Sequence, residues 1–279
     1  MDLVIQAPHL APDDVDALYA LTGAAGVEPL TRACNDACRL YDIESDAGVD
    51  AACHAGGYDV ARVEGRDTLP RVRVVAMDMD STLITIECID EIADLRGIKP
   101  EVAAITALAM RGEIDFAESL RRRVALLAGV PEGALAEVYD DRLRLSPGAE
   151  ALLAALHAQG ATTLLLSGGF TFFTERLRAR LGFTAALANT LEVVDGRLTG
   201  RLTGSIVDAR AKAAALAGYA SAAQRDGGIA VAIGDGANDI PMLEVAGVSV
   251  AWHAKPAARA AATHAIDHCG LDAVLNLFA

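Results

Sequence analysis

The sequence predicts an α/β chain: a parallel sheet covered by helices over residues 71–279, interrupted by a helical insertion at about 85–145, with a small α+β module over residues 1–68 ahead of it. Three observations predict it. A chain of 279 residues exceeds the roughly 100–200 typical of one domain. Before about residue 70, short apolar runs alternate with two helix-like stretches. From Arg71 onward, strand-then-helix units repeat, and their strands are continuously apolar, as strands buried on both faces must be.

In the first part, "LVIQA", "GVEPLTRAC", "CRLYDI" and "YDVARVE" read as strands, and "PDDVDALYALTG" and "AGVDAACHAGG" as helices. Strand, helix, two strands, helix, strand is the layout of a small ferredoxin-like module. In the second part the strands are "VRVVAM", "TTLLLS", "IAVAIG", "VSVAW" and "HAI", with helices after Gly169, Asp208, Asn238, Pro256 and Gly270. Between the first two strands lie "IDEIADLRG", "PEVAAITALAMRG", "DFAESLRRRVALLAG" and "PEGALAEVYDDRL". A right-handed crossover needs one helix, so the surplus helices are expected to cap the carboxyl end of the sheet, where open α/β sheets bind ligands.

Composition narrows the function. With 53% hydrophobic and 22% charged residues the chain is not disordered. Its formal charge of −14 opposes capture of nucleic acid or anionic membrane, so an anionic substrate needs a local cationic pocket or a metal. The N-terminus carries an acid at position 2 and no basic segment before an apolar core, and the uncharged stretch 151–174 is split by Gln159-Gly160; a cytoplasmic protein without a membrane span is expected. Five cysteines without CxxC spacing argue against structural disulfides.

Three polar clusters follow buried strands. In "VVAMDMDSTLI", Asp78 and Asp80 are expected to project from the strand end in one direction; two such close carboxylates repel, which suits either a cation site or a nucleophile with a proton-carrying partner. A calcium loop fails, since Leu83 stands where a glycine is needed and Ile89 where a glutamate is needed. "LLLSGG" delivers the Ser167 hydroxyl and, through Gly168 and Gly169, backbone N–H groups able to approach an oxyanion at a helix start. "AIGDGANDI" places Asp235, Asn238 and Asp239 together; Asp239 stands where a dinucleotide loop needs a third glycine, so a magnesium site fits better. Lys212 is one of only three lysines among 24 Lys and Arg, the others being Lys99 and Lys255, which suggests that a compact point charge is required there.

"DMDSTLI", "SGG", Lys212 and "GDGAND" occur in the order of the four motifs of the haloacid dehalogenase superfamily of phosphatases, which the chain resembles over residues 71–279. The resemblance implies a Rossmann-like core, a helical cap and aspartyl-phosphate chemistry. It implies Mg²⁺ held by Asp78, the backbone carbonyl of Asp80, and Asp235, with Asp239 close by or in support. Asp78 would be the nucleophile and Asp80 the acid/base. Lys212, Ser167 and the Gly168 N–H would hold the phosphoryl oxygens, with Asn238 orienting the phosphate or Lys212.

The insertion sets the substrate expected. In "FAESLRRRVALL", Phe116, Leu120, Arg123 and Leu127 follow helical spacing, so Arg123 stands within an apolar stripe, while Arg122 lies four residues after Glu118 and has an ordinary pairing. The resemblance assigns Arg123 to a substrate carboxylate, Phe116 to an apolar pocket wall and Glu87 to a substrate ammonium; spacing alone leaves Glu87 as a solvated neighbour of Glu91 and Asp94. Phosphate clamp, cation and anion together describe O-phosphoserine, a small-molecule substrate. Two alternatives stay open: a phosphatase or phosphotransferase for another small phosphomonoester, and a phosphoacceptor signalling domain. Residues 1–68 resemble amino-acid-binding ACT modules in element order, which makes serine regulation and homodimerisation through them hypotheses.

Overall fold

The computed structural model describes residues 1–65 and 67–278; Arg66 and Ala279, inside the two expected domain spans, lie outside the described residues. The first part runs β1 (Asp2–Ala7), α1 (Pro12–Thr22), β2 (Gly26–Leu30), β3 (Asp36–Tyr41), α2 (Val49–Gly56) and β4 (Asp59–Val63), in the element order the sequence predicts. Its four strands pair antiparallel in the order β2-β3-β1-β4. Side-chain alternation gives β1 two destinations: Leu3, Ile5 and Ala7 join Leu18, Leu40 and Val49 in the small core, while Val4 joins the core of the larger part. The two parts are tied at the chain's far end. The Asp59 carboxylate accepts the N–H groups of Asp267 (2.7 Å), His268 and Cys269 (3.1 Å each), and the buried Asn276 donates to Gln6 at 2.9 Å. A cleft of about 420 Å³ opens along this seam. Its arginines are already paired, Arg62 with Asp46 and Asp50 and Arg259 with Asp267.

The second part begins with β5 (Val72–Met77). The insertion follows as α3 (Cys88–Leu95), α4 (Lys99–Met110), α5 (Phe116–Ala125) and α6 (Gly133–Glu137), the last continuing into one turn of π-helix at Val138–Arg142. The chain returns through α7 (Ala149–Ala158) to β6 (Thr162–Phe170), α8 (Thr171–Leu181), β7 (Ala185–Val194), β8 (Arg197–Thr203), α9 (Ala209–Arg225), β9 (Ile229–Gly234), α10 (Ile240–Val245), β10 (Val248–Trp252), α11 (Pro256–Ala261) and β11 (His264–Ile266). The seven strands lie in the order β11-β10-β9-β5-β6-β7-β8, parallel except for the β7–β8 pair. The chain leaves β5 for β6 on one side and returns to β9 on the other, so β5 stands at the switch point where such sheets open a crevice.

Three local expectations change. β7 and β8 are absent from the sequence reading, although their turn, Asp195-Gly196 with φ of 50° and 70°, carries the Asp-Gly signal of a tight hairpin. This hairpin props the insertion: Gly129 N–H donates to Leu198 O at 2.8 Å, and Leu198 N–H to Val130 O at 2.9 Å. The segment after Gly270 is a 3-10 helix, Leu271–Leu277, buried on every side rather than along one α-helical stripe. The glycines of "SGG" lie within β6, which continues to Phe170 with a register shift after Leu166, so they are not at a helix start.

Insertion residues Ile89, Ile92, Leu120, Val124 and Leu127 share one continuous core with Met77, Leu165 and Phe170 of the sheet. Burial of that apolar surface, at about 25 cal/mol per Å², seats the insertion over the carboxyl ends of β5 and β6.

Candidate active site

Three neighbouring strand ends build the site. β5 stops at Met77, so Asp78 and Asp80 stand in the following loop and not on the strand. Asp78 N–H still donates to Ile233 O of β9 at 3.0 Å, which places the first carboxylate against the next strand. The loop then folds back: Leu83 N–H donates to Asp78 O at 3.3 Å and Ile84 N–H to Met79 O at 3.0 Å, with Met79, Leu83 and Ile84 fully buried beneath it. Ser81 takes a left-handed φ of 57°, uncommon outside glycine and held here by the turn and by its hydroxyl, which donates to Glu87 at 2.8 Å.

Lys212 enters from the first turn of α9, whose start is capped by Asp208 accepting the Ala211 N–H at 2.9 Å. Its side chain is 1% exposed, with Nζ 2.7 Å from Asp78 Oδ1 and 2.6 Å from Asp239 Oδ1. Burial alone lowers a lysine, but Asp78 and Asp239 outweigh it and hold Lys212 above its ordinary value. Asp239 is fully buried, and its other oxygen accepts the N–H groups of Asp235 (3.2 Å) and Gly236 (3.1 Å). The glycine at 234 is required for this packing: a Cβ there would lie 2.5 Å from the Asp239 carboxyl carbon. Asn238 Nδ2 donates at 3.4 Å to both Asp78 Oδ2 and Asp239 Oδ1, so its contacts are with the carboxylates flanking Lys212.

Asp235 follows β9; its Oδ1 accepts the buried Thr82 hydroxyl at 3.4 Å, and Lys255 Nζ stands 3.5 Å from Oδ2. Oxygens of Asp78, Asp235 and Asp239 lie within 4.8 Å of one another. Burial raises the Asp78 carboxyl well above the usual carboxylate range, and the Asp239 charge adds to this against the opposing effect of Lys212; burial likewise raises Asp235. An all-oxygen set with more buried negative charge than Lys212 can offset fits a hard divalent cation. Asp239 is closed off beneath Lys212 and two N–H groups, while Asp78 and Asp235 keep 5% and 10% of their side chains exposed and are the carboxylates an entering cation reaches first.

The Asp80 carboxylate is not one of this triad. Its Oδ1 accepts the Cys88 N–H at 2.9 Å, and Oδ2 is 3.5 Å from the Ser167 hydroxyl at the end of β6. Burial raises Asp80, the Cys88 N–H opposing. Ser167 Oγ in turn accepts the Gly169 N–H at 2.8 Å, and a Cβ on Gly169 would meet Asp80 Oδ2 at 2.5 Å. A Cβ on Gly168 would meet the Phe116 ring at 3.0 Å, which puts Phe116 of α5 directly over this glycine of β6.

Glu87 and Arg123 bring opposite charges from the insertion. Glu91 and Asp94 are bound away by Arg142, at 2.7 and 2.6 Å, so Glu87 does not belong to a solvated acidic face with them. It precedes α3 at the mouth of the site and keeps an exposed side. Protein crowding around its carboxyl, then the Asp80 charge, push Glu87 up to about 7, against the Ser81 hydroxyl. Arg122 pairs with Glu118 at 2.7 Å, as its spacing predicts. Arg123 is lowered by burial against the pull of Glu87, Asp90 and Asp80, and its Nε is buried without a hydrogen-bond partner among the described residues. A buried guanidinium N–H left unmatched points to an acceptor supplied from outside the chain.

The expected residues therefore converge, and the structure adds Ser81, Thr82 and Lys255. The D-x-D-x-T spacing and the rarity of lysine were the available signals for the last two.

The sequence matches the haloacid dehalogenase-like hydrolase family model over residues 75–244. It is 53% identical over 213 residues to a phosphoserine phosphatase of Polaromonas sp., covering 74% of this chain and 89% of that one. It is 45% identical over 236 residues to a phosphoserine phosphatase of Vibrio cholerae, covering 85% and 72%. Among solved structures, a haloacid dehalogenase family hydrolase from Salmonella enterica serovar Typhi superposes with a TM-score of 0.86 at 31% identity, covering 100% of this chain and 99% of that one. A probable phosphoserine phosphatase from Vibrio cholerae, unliganded, superposes with a TM-score of 0.81 at 36% identity, covering 99% and 85%.

Proposed function

Because the chain belongs to the haloacid dehalogenase-like hydrolase family, we propose that it hydrolyses O-phospho-L-serine to L-serine and phosphate, the last step of serine biosynthesis, in the cytoplasm. The observation that carries the substrate is the buried Arg123 Nε without a hydrogen-bond partner among the described residues, its guanidinium within electrostatic reach of Glu87 and Asp80. Arg123 grips the substrate carboxylate, Glu87 the ammonium, and Phe116 walls the pocket between them.

Mg²⁺ is the cation proposed for Asp78, the Asp80 backbone carbonyl and Asp235, with Asp239 in support; when bound it offsets the repulsion between a carboxylate nucleophile and an anionic phosphate. Asp78 attacks phosphorus through a carboxylate oxygen, the phosphorus–serine oxygen bond breaks, and an aspartyl phosphate forms. Asp80, whose raised pKa suits it to carry a proton, gives that proton to the departing serine oxygen. It then takes a proton from the water that attacks phosphorus; the phosphorus–Asp78 bond breaks, phosphate leaves, and both carboxyls return to their starting states. Lys212, the Ser167 hydroxyl and the Gly168 N–H hold the phosphoryl oxygens throughout, and Asn238 keeps Asp78 and the phosphate aligned. The insertion over 85–145 acts as the cap that excludes water.

Residues 1–68 are proposed as a separate ACT-like module, ferredoxin-like in its strand order, which makes it the candidate for serine binding and homodimerisation. Phosphate release from L-phosphoserine, with and without Mg²⁺, beside phosphoethanolamine, phosphothreonine and 3-phosphoglycerate, tests the substrate and metal. Phosphoserine is expected to win, to need Mg²⁺, and to lose turnover in Asp78→Asn; a different preferred ester would remove the Glu87 and Arg123 roles.

A further inference from the structure

Lys255 is a cation beside the site that this chemistry leaves without a task. Its backbone is firmly placed. Lys255 N–H donates to Asp235 O at 2.8 Å, and its own carbonyl accepts the Arg259 N–H at 3.0 Å in α11. Pro256 after it favours the extended conformation it adopts, φ −63° and ψ 151°. The side chain is loosely held by comparison: 62% exposed, it reaches back to 3.5 Å from Asp235 Oδ2 over Gly236, where a Cβ would lie 3.8 Å from Nζ. The Asp235 side chain is only 10% exposed, and its other oxygen accepts from the buried Thr82. The pair is therefore one-sided, a fixed carboxylate and a cation free to leave. Lys212 cannot substitute for it, since that ammonium is already shared by Asp78 and Asp239.

We propose that Lys255 is a positioning residue that serves as the displaceable counter-ion of Asp235, competing with the divalent cation for this carboxylate. This rests on the reading of Asp78 and Asp235 as metal ligands. Lys255 then sets how tightly the site takes its metal, without touching the reacting atoms.

Calorimetric titration of the full chain with Mn²⁺ and with Mg²⁺, without substrate, tests it on wild type, Lys255→Met, Lys255→Arg and Asp235→Asn. Removing one positive charge at this distance and exposure should tighten metal binding by about three- to tenfold at low salt, with the gain shrinking at 0.5 M salt. Lys255→Arg should restore the wild-type value, and the Mg²⁺ concentration for half-maximal phosphate release should fall in Lys255→Met by the same factor. Equal or weaker metal binding by Lys255→Met, with wild type binding normally, overturns the counter-ion role alone. Absence of binding by wild type, or binding by Asp235→Asn as tight as wild type, overturns the metal-ligand reading and this proposal together.

Discussion

Lys212 Nζ lies 2.7 Å from Asp78 Oδ1, with the two side chains 1% and 5% exposed, so the cation of the site and its first carboxylate form a pair shut away from water. Such a pair gives little stability of its own, because desolvation offsets most of the attraction, but breaking it strands a buried charge. Lys212→Met should therefore lose about 3–5 kcal/mol of stability, read from urea unfolding. Its kcat should fall several hundred-fold, since a donor aimed at developing charge contributes about 3–4 kcal/mol. A kcat within tenfold of wild type would show that Lys212 is not aimed at the phosphoryl group.

Arg123 should distinguish substrates that carry a carboxylate from those that do not. Arg123→Ala is expected to lose about 2–3 kcal/mol in kcat/KM for phosphoserine, roughly 30- to 150-fold, and Arg123→Lys most of that, because an ammonium cannot reproduce a two-pronged grip. With phosphoethanolamine, which lacks the carboxylate, both variants should stay within a few-fold of wild type. Equal losses on both substrates would sink the assignment.

Glu87 makes the site sensitive to pH near neutrality. Its folded value, about 7, stands above the ordinary carboxylate value of 4.5, so the folded chain holds this proton more tightly than the unfolded one. Stability attributable to Glu87 is therefore greatest at low pH and declines as pH rises from about 4.5 through 7. Glu87→Gln should melt higher than wild type at pH 8 and nearly equal to it at pH 4.5. In kinetics the sign reverses, since gripping an ammonium needs the ionised form: the rise of kcat/KM through pH 7 should flatten in Glu87→Gln, beyond what titration of the substrate phosphate accounts for.

The two adjacent glycines of β6 should respond differently to one added methyl group. Gly169→Ala places a Cβ 2.5 Å from Asp80 Oδ2 and should displace this proposed proton carrier, with a loss of kcat on the order of 100-fold. Gly168→Ala meets only the Phe116 ring, at 3.0 Å, which can shift, so its effect should appear in KM and stay within about tenfold. The reverse ranking, measured by steady-state kinetics, would mean that the loop relaxes around Gly169.

Sequence by itself determined the parallel core and its order of chemistry, because continuous apolar runs such as Ile229–Gly234 are buried on both faces and have no other way to satisfy their pattern. It also singled out Arg123 and the Glu118–Arg122 pair, since helical spacing is local. Tertiary structure decided what depends on meetings between distant segments. Met77 ends its strand one residue before Asp78, so the two carboxylates are aimed by a turn packed on Leu83 and Ile84, not by strand alternation. Glu87 is separated from Glu91 and Asp94 because the Ser81 hydroxyl holds it, and Arg142, 51 and 48 residues away, claims those two. Lys255 reaches Asp235 from beyond α10 and β10, and Gly234 is small because Asp239 folds over it. Periodicity encodes which face a residue takes; it carries no information about which remote charge will be waiting there.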